Sequence, residues 1–218
     1  MNSFYFQNKV LHAESVPVSD LMGAYGSPLY IYSKSQIEFN WQQFEKSFGS
    51  HPHLICYAVK ANSNLAVLNV LANLGSGFDI VSIGELERVI AAGGNPKKCV
   101  FSGVAKTEQA IQKALEYGIY CFNVESVAEL DRIESVAASL KMNAPISIRV
   151  NPNVDAKTHP YISTGLTENK FGVSVEIALS LYKKTNLSDH LEVFGLDYHI
   201  GSQITDISPF LEALDKAL

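Results

Sequence analysis

The feature that most constrains the fold is a regular alternation of short apolar runs with longer amphipathic segments. Each apolar run has the length of a buried strand, and each longer segment repeats its apolar residues at helical spacing. The pair occurs six times between Leu54 and Leu218, after a strand-like run at 28–32 and a helix capped by Ser33 or Ser35. This pattern predicts a parallel sheet joined by right-handed crossovers.

Periodicity alone leaves two architectures open, a doubly wound sheet and a (β/α)8 TIM-type barrel. Polar residues favour the barrel, because they fall at or near the carboxyl ends of the predicted strands, where barrel active sites lie. They are Lys60, Asp79, Ser102, Asn123, Arg149 and His199. The six predicted strands are Leu54–Lys60, Phe78–Ser82, Cys99–Phe101, Ile119–Val124, Ile146–Val150 and Leu191–His199.

A barrel of this class needs eight strands, and the sequence supplies six. We therefore expect residues 33–218 to form an incomplete barrel of about six β/α units. An open barrel would leave strand edges and part of its core uncovered. The sequence is accordingly predicted to be the front part of a longer protein.

Composition excludes several classes of protein. The formal net charge is −5, which argues against a nucleic-acid partner. No apolar run reaches membrane-spanning length, and the N-terminus lacks the regions of a signal peptide. Three widely spaced cysteines argue against a disulfide framework and fit a reducing cytoplasm. They are Cys56, Cys99 and Cys121.

Two short stretches could carry chemistry of their own. Lys60 follows an apolar run, and burial would favour its neutral, nucleophilic form, the usual start of Schiff-base chemistry. The alternative is a strand-end lysine with its amine in water. His51-Pro52-His53 could suggest a metal pair, but it precedes a strand and has no acidic or cysteine cluster beside it. We interpret it as a surface turn and expect no metal site.

Several motifs together resemble the fold-type III, pyridoxal-phosphate-dependent decarboxylases. Each motif is weak alone, but their order and their positions at strand ends make the resemblance specific. It spans nearly the whole chain from Pro28 onward. The motifs are Tyr57–Asn62, Gly77–Ser82 with Gly84–Leu86, His199–Gln203, and a central stretch of Arg149–Pro152, His159–Gly165 and Lys170–Gly172.

The resemblance implies roles for particular residues. Lys60 would be the catalytic lysine that forms the Schiff base with pyridoxal 5′-phosphate, and His199 would lie against the cofactor ring. Gly201 would let the backbone approach closely, and Ser202 would donate to the phosphate. Lys170 is expected to anchor the central loop.

Three charged residues have competing explanations. The resemblance implies that Asp79 and Glu85 lie near the lysine amine, but Ser82 and Glu85 also have the spacing of a capping box. Arg149 would belong to the cofactor site or form a structural ion pair. Its neighbours on the strand are apolar, so it needs an anion, which Glu85 or the bound ligand could supply.

The activity implied by the resemblance is decarboxylation of meso-2,6-diaminopimelate to L-lysine, with a small amino acid as substrate and a homodimer as the full-length assembly. The alternatives are an ornithine- or arginine-type decarboxylase and a non-catalytic, single-barrel pyridoxal-phosphate protein. The family's phosphate loop, pyridinium partner and C-terminal β-domain cannot be placed in the sequence. Residues 1–32 are expected to join that domain, and the 218 residues alone are expected to be inactive.

Overall fold

The computed structural model describes residues 3–154 and 171–217. The chain begins with a small antiparallel sheet whose strands pair in sequence order. A short helix, α1 (Val18–Tyr25), follows it, and α2 (Lys34–Phe48) comes next. The three strands are β1 (Phe4–Gln7), β2 (Val10–Ala13) and β3 (Val16–Pro17).

The main body is a six-stranded parallel sheet with a helix after each strand. Its strands are β4 (Cys56–Ala58), β5 (Gly77–Ile80), β6 (Cys99–Phe101), β7 (Cys121–Val124), β8 (Ala144–Arg149) and β9 (Leu191–Asp197). The helices that follow them are α3 (Leu65–Asn73), α4 (Ile83–Ala91), α5 (Glu108–Tyr117), α6 (Val127–Leu140), α7 (Val175–Thr185) and α8 (Ser208–Ala217).

Strand order distinguishes the two predicted architectures. Each strand from β4 to β9 pairs in parallel with the next strand along the chain. A doubly wound sheet would reverse its order at a switch point. Consecutive order throughout is the arrangement of a barrel wall, and within the described residues the wall ends at β4 and β9. The predicted six-unit barrel is therefore confirmed.

The core lies between the sheet and its helices. In β5, Phe78 and Ile80 are fully buried against the helices, whereas Asp79 between them faces the other side, as the two-residue period of a strand requires. Phe101 and Phe122 stack with ring centroids 5.9 Å apart. Helix residues such as Leu86, Ile111 and Leu130 complete the layer. Within residues 3–154 and 171–217, no helix is long and apolar enough to cross a membrane.

The prediction of a strand at 28–32 is wrong. This segment is irregular, Tyr30 and Tyr32 are exposed, and no strand pairs with it among residues 3–154 and 171–217. The antiparallel sheet before it was not predicted. Its first hairpin turns at Asn8 and Lys9, both with positive φ, which is the geometry of a type I′ turn. An asparagine between two alternating runs was the available signal.

Side-chain caps fix where most helices start. At six helix starts a serine, asparagine or threonine oxygen accepts a main-chain N–H of the first turn, which the helix itself leaves unpaired. These residues are Ser33, Asn64, Ser82, Thr107, Ser126 and Ser174. The sequence predictions of a cap at Ser33 or Ser35 and of a capping box at Ser82 are confirmed by Ser33 and Ser82.

We predict that Ser126→Ala lowers the free energy of unfolding by about 1 kcal/mol, because the N–H of Glu129 loses its acceptor at 3.2 Å. The measurement is denaturant unfolding followed by circular dichroism. Ser139→Ala, near the other end of the same helix, is the matched control. Its exposed hydroxyl bonds only a carbonyl within the helix, so the change should be within about 0.5 kcal/mol. Equal losses would contradict the capping role.

Candidate functional site at the carboxyl ends of the strands

Polar side chains gather where the parallel strands end. Because β4 to β9 run in one direction in sequence order, their carboxyl ends meet at one edge of the sheet. This edge holds the residues that the sequence singled out and three further charged residues that it did not. The first group is Lys60, Asp79, Ser102, Asn123, Arg149 and His199, and the second is Lys106, Glu125 and Asp197.

Lys60 lies in a single 3₁₀ turn, Val59–Ala61, and not in a strand. The predicted strand Leu54–Lys60 ends at Ala58, because the chain turns there to bury Val59 fully in the core. The Lys60 side chain is exposed, which differs from the buried lysine that the sequence argument considered. Its amine is therefore accessible to a ligand that approaches the strand ends.

Asp79 is held by its neighbours on the next strands. Ser102 donates to Oδ1 of Asp79 at 2.5 Å, and the side-chain amide of Asn123 donates to the Ser102 hydroxyl at 3.1 Å. Burial raises the pKa of Asp79, and the Ser102 hydrogen bond and the positive charge of Lys60 oppose that shift. The carboxylate is thus fixed in place next to the charge of Lys60.

Arg149 pairs with Glu125, and the prediction that Glu85 could be its anion is wrong. The guanidinium donates to Oε1 of Glu125 at 2.8 Å, and the same oxygen accepts the main-chain N–H of Gly103 at 3.1 Å. The other oxygen of Glu125 is buried and has no hydrogen-bond partner among the described residues. A buried acceptor without a donor marks a place where a bound group could donate.

Glu85 instead closes the start of α4. Its carboxylate accepts the main-chain N–H of Val81 at 2.7 Å, and its own N–H donates to the Ser82 hydroxyl at 3.2 Å. The capping explanation therefore accounts for both residues. Glu125 directly follows the buried strand β7, and that position at a strand end was the signal by which it could have been found.

The returning end of the central loop packs on Arg149. The guanidinium lies 5.3 Å from the ring centre of Phe171, which is within cation–π range. Gly172 has a φ of +77°, and a Cβ there would stand 2.9 Å from the Arg149 carbonyl oxygen. A side chain at this position would therefore collide with the strand. Lys170 and the motif His159–Gly165 lie outside the described residues.

His199 is half-buried two residues beyond β9. Burial lowers the pKa of His199, and the positive charges of Arg149 and Lys60 lower it further. The ring is consequently neutral near pH 7 and offers a flat, uncharged face. Gly201 and Ser202 follow in the next turn, where Ser202 is exposed.

Asp197 is the last residue of β9. It was not singled out from the sequence, because it lies inside the predicted strand Leu191–His199. It pairs in register with Arg149. Burial raises the pKa of Asp197 to about 6, the neighbouring carboxylates Glu125 and Asp79 add to the rise, and Arg149 opposes it. A cavity of about 250 Å³ on this inner face is lined by Asp197, Asn123 and other residues of β6 to β9.

The three cysteines and the His51-Pro52-His53 stretch offer no competing chemistry in the described part of the chain. Burial raises the pKa of Cys56 to about 11 and those of Cys99 and Cys121 to about 12, so the thiols stay protonated and unreactive. His53 bonds the His51 carbonyl and lies 3.1 Å from a Glu45 oxygen. The described part of the chain contains no group of three or more potential metal ligands.

The site residues fit a cofactor that carries an aldehyde and an aromatic ring. An accessible lysine amine, a neutral imidazole and a buried carboxylate oxygen without a donor suit such a group better than they suit a metal ion. Residues 34–218 match the family model described as pyridoxal-dependent decarboxylase, pyridoxal binding domain. The chain belongs to this family, and the predicted cofactor, pyridoxal 5′-phosphate, is confirmed.

Individual relatives carry a narrower name than the family model does. Diaminopimelate decarboxylase of Vibrio cholerae is 58% identical over 214 residues, which are 98% of this chain and 51% of that protein. The Helicobacter pylori enzyme of the same name, complexed with L-lysine, superposes with a TM-score of 0.89 at 48% identity, covering 91% of this chain and 50% of that one. The M. jannaschii enzyme, also with L-lysine, has a TM-score of 0.91 at 39% identity, and the match covers 99% of this chain and 52% of that one. The chain thus spans about half the length of the curated relatives it matches.

We predict that Asp197→Asn stabilises the cofactor-free protein at pH 8 but not at pH 4. The folded pKa of Asp197, about 6, lies above the ordinary value of 3.8, so the folded state binds the proton more tightly. Wild-type stability therefore falls as pH rises from about 4 to 6, by an amount on the order of 3 kcal/mol. The Asp197→Asn variant has no ionisable carboxyl at this position, so its stability does not fall in this way. Thermal unfolding of both proteins across this range measures the gap, and parallel profiles would contradict the assignment.

Proposed function

We propose that the protein containing this chain is a pyridoxal-phosphate-dependent decarboxylase that converts meso-2,6-diaminopimelate to L-lysine. The observation that carries the proposal is the accessible Lys60 amine beside Asp79 and His199 at the strand ends of a pyridoxal-binding domain. The substrate assignment is supported by curated relatives named diaminopimelate decarboxylase at 50–58% identity. It is also supported by solved structures of enzymes of that name from Helicobacter pylori and M. jannaschii, 48% and 39% identical, that hold L-lysine.

Each site residue has a distinct task in this proposal. Lys60 would hold the cofactor covalently through its amine. Asp79, fixed by Ser102, would hold that amine in place when it is not bonded to the cofactor. His199 would offer its neutral ring to the cofactor. When bound, pyridoxal phosphate supplies the electron sink for the bond to the departing carboxylate.

The remaining groups hold the ligand. Arg149, fixed by Glu125, places a positive charge at the carboxyl ends of the strands, where it can meet an anionic or phenolic oxygen of the cofactor. Ser202 is exposed and can donate to the phosphate, and Gly201 leaves the backbone beside it open. The unpartnered oxygen of Glu125 is available to a donor of the bound ligand.

We further infer that residues 1–32 join a C-terminal β-domain and that the whole protein is a cytoplasmic homodimer. Support for the first point is the antiparallel sheet β1–β3, which exposes Phe4, Tyr5 and Phe6 and could extend into a larger sheet. Support for the location is that all three cysteines are free thiols.

We predict that borohydride reduction of the cofactor-loaded protein attaches a pyridoxyl group to Lys60. The amine of Lys60 is exposed, whereas that of Lys106 is buried with three acceptors, so Lys106 should remain unlabelled. Peptide mapping by mass spectrometry is the measurement, with Lys60→Arg as the control that loses the label. A label on a different lysine would refute the site.

The substrate assignment predicts that the whole protein releases CO₂ from meso-diaminopimelate at least about a hundredfold faster, in kcat/KM, than from ornithine or arginine. A second amino-acid head group needs charged partners that a plain amine does not, and unmatched polar groups discriminate strongly. Release of ¹⁴CO₂ from each labelled substrate tests this. A preference for ornithine or arginine would assign the protein to the polyamine-type enzymes instead.

A further inference from the structure

Lys106 is buried beneath the site, although lysine is rarely buried unless it is paired. Its side chain is 1% exposed. The ammonium donates to the carbonyl oxygens of Gly103 at 2.5 Å and Asn123 at 2.8 Å, and to Oε1 of Glu129 at 2.7 Å. All three of its protons therefore have acceptors, and the charge is compensated by one carboxylate.

Two of these acceptors belong to residues that bond the site directly. The N–H of Gly103 donates to the carboxylate of Glu125, which holds Arg149. The side chain of Asn123 donates to Ser102, which holds Asp79. The buried ammonium thus holds the first residue of two separate chains of hydrogen bonds. One chain starts at Gly103 and ends at the positive Arg149, and the other starts at Asn123 and ends at the negative Asp79.

We propose that Lys106 is a positioning residue for the cofactor site: by fixing Gly103 and Asn123 it sets where Asp79 and Arg149 stand. This inference rests on the proposed function, since it concerns how the same site receives pyridoxal phosphate. Lys106 itself touches neither Asp79 nor Arg149 by a hydrogen bond among the described residues.

A purely structural ion pair makes a different prediction. If Lys106 served only to neutralise Glu129 at the start of α6, every change that breaks the pair would act through stability alone. In the positioning role, the contacts with the two carbonyls matter and the contact with Glu129 does not. The two roles can be separated because Glu129 can be changed while both carbonyl contacts remain.

The experiment compares two variants of the whole protein. Lys106→Met/Glu129→Gln removes both charges together, which avoids leaving one buried charge unpaired. Glu129→Gln alone is the matched control: its amide oxygen can still accept from the Lys106 ammonium, so Lys106 stays on Gly103 and Asn123, and the unfolding midpoint measures the cost of leaving its charge uncompensated. Each is measured for its unfolding midpoint without cofactor and for its pyridoxal-phosphate dissociation constant by absorbance titration. If the first variant does not fold, Lys106→Gln/Glu129→Gln replaces it with an uncharged pair of similar length.

We expect the dissociation constant of the double variant to rise at least about fivefold and that of Glu129→Gln to stay within about twofold of wild type. Ser102→Ala should weaken cofactor binding more in the wild-type background than in the double variant, because the two act through one chain of hydrogen bonds. Equal dissociation constants in the two variants, or fully additive effects of Ser102→Ala, would overturn the proposal. If wild type itself fails to bind pyridoxal phosphate, the proposed function fails instead, so the two failures are distinguishable.

Discussion

Consecutive parallel pairing of β4 to β9 is the constraint on which everything else in this structure depends. It leaves the carboxyl end of each strand next to that of its neighbour, so residues more than twenty positions apart in the chain become partners. Arg149 reaches Glu125, and Ser102 reaches Asp79, only because their strands lie side by side in register. The helices on the outer face bury apolar residues of β5 to β8 and hold that register in place.

Two cations of the site each have a buried carboxylate partner. Lys106 is compensated by Glu129, and Arg149 by Glu125. Such pairs contribute little net stability, because desolvation offsets their attraction, but they hold geometry firmly when their remaining hydrogen-bonding groups are satisfied. Two carboxyl groups of the site are not fully compensated. One oxygen of Glu125 has no hydrogen-bond partner among the described residues, and burial raises the pKa of Asp197. Both occur at the strand ends where a cofactor would bind, and unpaired buried groups of this kind are typical of ligand sites.

The exposed position of Lys60 changes how its reactivity should be understood. A lysine at the end of an apolar strand suggested activation by burial, yet the chain turns at Val59 and leaves the amine accessible. Its polar surroundings then come from Asp79 on β5 and from His199 after β9. Accessibility is what the covalent role proposed for Lys60 requires.

Sequence alone determined the order and type of the main elements, because apolar spacing records directly which residues must be buried. It located Lys60, Asp79, Arg149 and His199 at strand ends for the same reason. It did not determine which charges pair, since Glu85 and Glu125 both lie near the carboxyl ends of strands and only the adjacency of β7 and β8 brings Glu125 to Arg149. Lys106 lies in a loop with no periodic signal, and its burial follows from how the β6–α5 connection packs on β7 and α6. Partner choice over long sequence distances is decided by tertiary structure, because it depends on distances between chain segments that local spacing does not encode.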